Sequence, residues 1–176
     1  ASDALPGAYT FDFICNTRVV QNLRIEVDKI ILIYHGGREH FQLPTPEQRK
    51  RLRYFVDIGV DAIVAHHTHC YSGYEYYNGK PIVYSLGNFI FDYKSKYQKG
   101  TWTEGMSVIF SFKNKNDKIN IEFIPHLQGR AMDNRLTLLS GNEYNIFMEK
   151  VNVLSSIIIN DHLCFVHWKE YLKEQE

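Results

Sequence analysis

The sequence predicts an α/β fold, a mixed β-sheet with flanking helices. Three observations predict it: a β-branched run at residues 29–34, a capped amphipathic segment at 45–59, and a second apolar run opening at Asp61. Strand, helix, strand in that order is the pattern of a parallel crossover unit, whose connection is right-handed. The first run, "KIILIY", ends at His35-Gly36-Gly37 and reads as a buried strand entering a loop. In the helical segment Thr45 is placed to cap and Pro46 to occupy the first turn. Leu52, Phe55, Val56 and Ile58 recur at helical intervals before Gly59 stops it. "DAIVAHH" then returns as the second strand. Farther on, "GYEYYNGKPIVYSL" reads as a hairpin turning at Asn78-Gly79, a pair suited to a type I′ turn. "GMSVIFSFKNKNDKINIEFIPH" reads as another, with residues 114–118 as its polar turn. From Asn142 the chain reads as helix, with a break near Asn160, although Ile157-Ile158-Ile159 fits strand as well.

No repeat or linker divides the chain, so residues 1–176 are read as one domain, with a core at 30–125 and a helical segment at 142–176. The 20 basic and 20 acidic residues cancel, so no global basic field attracts nucleic acid. Cys15, Cys70 and Cys164 are odd in number and widely spaced, which argues against a disulfide framework and a thiolate zinc site. Cys70 is read as a small buried hydrophobe. No apolar run approaches membrane-spanning length, and residues 1–13 lack the pattern of an export signal. The chain does not begin with Met, so a longer precursor is left open.

Both strands of the crossover end in histidine, and ligands of open α/β sheets bind outside the carboxyl ends of the strands. His35 and the group His66, His67 and His69 are therefore expected to face one crevice. In an extended segment residues two apart point the same way, so His67 and His69 are expected together, with His66 on the other side. Imidazoles in that arrangement suit Zn, Mn, Fe or Ni, with His35 as third ligand. A histidine is also often only a partly buried polar ring.

These residues carry a resemblance. "HGGREHFQLPTPEQ", followed by "IGVDAIVAHHTHCYSGYEYYNGKPIVYSLGNFIFD", resembles the bacterial capsule-synthesis CapA family, also called PgsA-like for its link to poly-γ-glutamate, within the calcineurin-like metallophosphoesterase superfamily. It runs from about Ile30 to Asp92, more loosely to Pro125, and "YSLGNF" is its specific part. The resemblance implies the C-terminal part of a four-layer α/β/β/α metallophosphoesterase-like fold. It implies His35, His67 and His69 as ligands of divalent ions (Mn, Zn or Fe), and it aligns Glu39 with the family's acidic residue after the first histidine. His66 stands where the superfamily usually has glycine, and Glu39 and His66 are the candidate catalytic side chains. The superfamily's earlier ligand blocks do not occur in residues 1–29, so the chain is read as part of a longer protein. The implied substrate is a phosphoester or an anionic polymer, and the implied partners are proteins of the capsule machinery. Location is read as cell-envelope association through a segment outside this chain, or as cytoplasmic.

Arg38 and Asn88 are the candidate substrate contacts, although Gly87-Asn88 is also an ordinary turn and Arg38 an ordinary exposed cation. Asp61 is read as opening a strand. The tyrosines 71, 74, 76 and 77 are read as packing before stacking on a polymer. His126, His162 and His167 receive no role. Two functions stay open: a metal-dependent hydrolase or transferase, and a non-catalytic polymer- or partner-binding subunit that keeps the fold.

Overall fold

The computed structural model describes residues 11–90, 100–128 and 135–175. The end of the family-like stretch at 91–92 lies outside them.

The crossover unit forms as its sequence demands. Strand β1 (Ile31–His35) pairs in parallel with β2 (Ala62–His66), from Ile31 opposite Ala62 to His35 opposite His66. Between them α2 (Pro46–Asp57) starts at Thr45, whose hydroxyl accepts from the Gln48 amide at 3.1 Å. Leu52 and Phe55 on its inner face are fully buried. The hairpin β3 (Tyr74–Tyr77) and β4 (Lys80–Val83) joins the same sheet through β4, which runs parallel to β2. Asn78 and Gly79 carry φ of 50° and 74°, the two left-handed residues that a type I′ turn requires. The sheet order is β1-β2-β4-β3.

A second, antiparallel sheet holds β5 (Glu104–Ser111), β6 (Asn120–Gln128) and β7 (Leu136–Leu138) in that order. Strand alternation divides the core. Ile63, Ala65 and Ile82 join Leu52, Phe55 and Val60 on the helix side, whereas Val64 and Val83 meet Met106 and Phe123 between the sheets. With both faces covered, β2 is a continuous apolar run. The fold is thus α/β, with one mixed and one antiparallel sheet and flanking helices.

One α-helix and one strand were not anticipated. Helix α1 (Phe13–Arg24) is capped by Asp12, whose carboxylate accepts from the Cys15 amide at 2.8 Å. That bond, more than any charge nearby, holds the Asp12 carboxyl below its ordinary range. The strand is β7. The C-terminal segment is α3 (Gly141–Ile158) and α4 (Asp161–Lys173), broken where Asn160 caps α4 by accepting from the Leu163 amide at 3.0 Å. The isoleucines at 157 and 158 are helical, with Ile158 in the core.

Candidate functional site

The carboxyl ends of β1 and β2 bring the histidines together, but not by the mechanism the sequence suggested. The strand stops at His66, and the chain then turns with φ of 114° at His67 and 58° at His69, so alternation along an extended segment does not apply. The turn is fixed by the loop after β1: the Gly36 amide donates to the His66 carbonyl at 3.0 Å and the His40 amide to the Thr68 carbonyl at 2.8 Å. The tightest contact is therefore between strands. His67 Nδ1 lies 3.1 Å from His35 Nε2, while the rings of His67 and His69 have centroids 6.3 Å apart. His66 is not on the opposite side either; it lines the same cavity of about 320 Å³ as His35, His67, His69, Asn88 and His126. Burial, with the neighbouring His35 as a second cause, lowers the basicity of His66 and favours its neutral form.

Glu39 is exposed, with Oε1 3.8 Å from His67 Nε2. It lines a second cavity, of about 670 Å³, with Arg38, His40 and Tyr171, and His67 is the wall common to both cavities. Arg38 Nε donates to the Tyr171 hydroxyl at 2.8 Å, so the end of α4 holds the candidate anion contact. Asn88 borders the first cavity, yet its amide is engaged by the protein, with Oδ1 2.8 Å from His69 Nδ1 and Nδ2 2.9 Å from the Trp102 carbonyl. Among the described residues, no three His, Cys, Asp or Glu side chains converge as a group that could hold a metal ion.

Several participants escaped the sequence reading. His126, 2% exposed on β6, comes within 3.1 Å of the Asn88 carbonyl, and Trp102 stacks on His69 with centroids 4.7 Å apart. His40 sits 6.0 Å from the same indole. No periodicity links these positions; only the pattern "YSLGNF" marks the segment that gathers them. Cys70 is buried, and burial pushes its thiol up to about 11, so it is not a nucleophile at neutral pH. Of the tyrosines, Tyr71 packs on Phe147 and Tyr74 on Phe123, while Tyr76 is half exposed. A further cavity of about 530 Å³ between α2 and α4 is lined by Arg49 and Arg53. Their charges are met by Asp161 and Glu75.

No helix among the described residues is long and apolar enough to cross a membrane. Residues 15–93 match the family described as bacterial capsule synthesis protein PGA_cap. The chain is 32% identical over 120 residues to the PGA biosynthesis protein CapA of Bacillus subtilis, covering 68% of this chain and 30% of that protein. It is 40% identical over 65 residues to the capsule biosynthesis protein CapA of Bacillus anthracis, covering 37% of this chain and 16% of that one. An uncharacterized protein of Sinorhizobium fredii is 43% identical over 49 residues, 28% of this chain and 11% of the relative. The chain thus spans less than a third of the length of the curated relatives it matches. With the histidine loops and "YSLGNF" inside the matched residues, the chain belongs to the bacterial capsule synthesis PGA_cap (CapA) family.

Proposed function

We propose that this chain contributes the histidine half of a metallophosphoesterase-like, metal-dependent hydrolase site to a protein of capsule or poly-γ-glutamate biosynthesis. The observation that carries the reading is the pair of imidazole nitrogens, His35 Nε2 and His67 Nδ1, 3.1 Å apart at the carboxyl ends of adjacent parallel strands. Two ligands to one ion at bonds of about 2.1 Å stand at such a separation when they subtend roughly a right angle. The donor set therefore fits two positions of a divalent ion, and His69, in the same cavity, is the third candidate. Imidazole suits Mn, Zn or Fe, and such an ion supplies Lewis acidity and an activated water.

The chain's own residues then divide the remaining work. A neutral His66 beside the pair can accept a proton at an imidazole nitrogen. Glu39 can orient His67 through its Nε2 edge, and Arg38, held by Tyr171, offers its outer guanidinium nitrogens to a phosphoester or an anionic polymer. Oxygen ligands would come from additional chain of the longer protein, whose substrates, capsule-machinery partners and envelope association belong to this same proposal. A second reading, a non-catalytic polymer- or partner-binding subunit, is favoured by the lack of a third converging ligand among the described residues.

Calorimetric titration with Mn²⁺ and Zn²⁺, followed by an aryl-phosphatase assay, on this chain and on a longer protein containing it, separates the two. The hydrolase reading expects weak binding by the chain, tight binding and turnover by the longer protein, and loss of both in His35→Ala and His67→Ala. A longer protein that binds no ion and hydrolyses nothing supports the subunit.

A further inference from the structure

Asn88 sits where three segments meet, and its side-chain oxygen and nitrogen and its carbonyl oxygen each have a defined partner. Its Nδ2 donates to the His69 carbonyl at 3.3 Å and to the Trp102 carbonyl at 2.9 Å. Carbonyls only accept, so these two contacts fix which way the amide faces and turn Oδ1 toward His69 Nδ1, 2.8 Å away. An oxygen at that place requires the hydrogen of the neutral ring to be on Nδ1, leaving the lone pair on Nε2. The backbone of the same residue acts on a second histidine. Its carbonyl lies 3.1 Å from His126 Nε2, and a carbonyl there requires the hydrogen on Nε2.

Packing makes the arrangement rigid. Asn88 is 4% exposed and His126 2%, and the Trp102 indole stacks on the His69 ring with planes 25° apart. Strand β5 presses in from the other side, where a Cβ on Gly105 would stand 2.3 Å from the Asn88 carbonyl oxygen and 2.7 Å from His126 Nε2. Glycine alone fits there.

We infer that Asn88 is a positioning residue that holds two neighbouring histidines in opposite tautomers, His69 with its hydrogen on Nδ1 and His126 with its hydrogen on Nε2, so that His69 turns a basic Nε2 to its ligand. The consequence for catalysis rests on the hydrolase reading; the tautomer assignment does not. Asn88 thereby acts through His69 rather than on substrate.

Long-range ¹H–¹⁵N correlation spectra of the ¹⁵N-labelled chain, recorded above the ordinary histidine titration range, read the protonated nitrogen of each ring. Opposite patterns are expected for His69 and His126. In Asn88→Leu the acceptor for His69 is gone, so its Nδ1–H pattern is lost in favour of the Nε2–H form that unconstrained imidazole prefers. His126, held by a backbone carbonyl, keeps its own. Asn88→Asp retains an acceptor oxygen and rescues the Nδ1–H pattern. An Nε2–H pattern for His69 in the unsubstituted chain overturns the inference, as does an unchanged His69 in Asn88→Leu with a native-like amide spectrum. If Asn88→Leu fails to fold, the unsubstituted chain and Asn88→Asp decide. In the longer protein Asn88→Leu should also weaken metal binding by about 10–100-fold, the effect of losing a group that orients a ligand. Opposite tautomers in a protein that binds no metal would uphold this inference and overturn the hydrolase reading.

Discussion

The two ends of the same parallel strands are built on opposite principles. At the amino ends, cations gather around one buried carboxylate. Asp61, just before β2, accepts from the Ile30 amide at 2.9 Å and from Arg24 at 2.6 Å, with Lys80 at 3.2 Å. Nearby on the helix side, Glu75 accepts from Arg53 through two nitrogens, at 2.9 and 2.6 Å, and from the Tyr84 hydroxyl. At the carboxyl ends, His35, His66, His67 and His69 crowd one cavity, and the carboxylate paired with them, Glu39, stays 3.8 Å from His67. Backbone geometry follows the same division. Among the described residues four non-glycine positions have positive φ; three are His40, His67 and His69, and the fourth is the turn residue Asn78. Asparagine and histidine both enter the left-handed region near φ of 60° more readily than most residues, but His67 at 114° lies outside it and stores strain of the kind that collects at functional sites. One end is organised for stability and the other holds cost for use.

The comparison can be broken at the stable end first. Glu75→Ala removes the acceptor of a buried ion pair and leaves Arg53 and Tyr84 without it, so a loss of about 3 kcal/mol is expected in chemical denaturation. A loss under about 1 kcal/mol would show that the pairing is incidental. Next, Asp61→Ala should cost about 2 kcal/mol, since the buried Ile30 amide loses its acceptor. Asp61 also sets a pH dependence. Burial alone would raise its carboxyl, but the Ile30 amide, Arg24 and Lys80 together hold it below the ordinary 3.8. A depressed carboxylate contributes stability that is complete above the ordinary value and is lost as pH falls through the lower folded value. Stability measured downward from pH 3.8 should therefore fall less steeply in Asp61→Asn than in the unsubstituted chain.

The smallest effect sharpens the contrast most. His67→Gly relieves φ of 114°, so stability should hold or rise by about 1 kcal/mol. The same change deletes a nitrogen of the closest imidazole pair, so any divalent-ion binding by the chain should drop at least tenfold by calorimetry. A destabilised His67→Gly would place His67 with the scaffold instead.

Much of the scaffold was legible because its signals are local. Thr45, Pro46 and Gly59 punctuate α2, Asn78-Gly79 names its own turn, and Asn160 caps where the C-terminal helix breaks. Helix α1 was missed because "FICNTRVVQNLR" is rich in residues of middling helix propensity, and Asp12 as a cap was the one signal available. Three residues of β7 carry too little pattern to read.

By itself the sequence determined the parallel crossover, the placing of histidines at its carboxyl ends and the family resemblance, since strand and helix periods and capping chemistry act between near neighbours. Which nitrogens meet was decided only in three dimensions. His35 and His67 are 32 residues apart, and His126 reaches Asn88 across 38, contacts set by sheet register and by the glycine that lets β5 approach. The expectation that His67 and His69 would lie together reached the right cavity for the wrong reason. It assumed an extended chain, whereas hydrogen bonds from the loop after β1 hold the backbone in turns at His67 and His69.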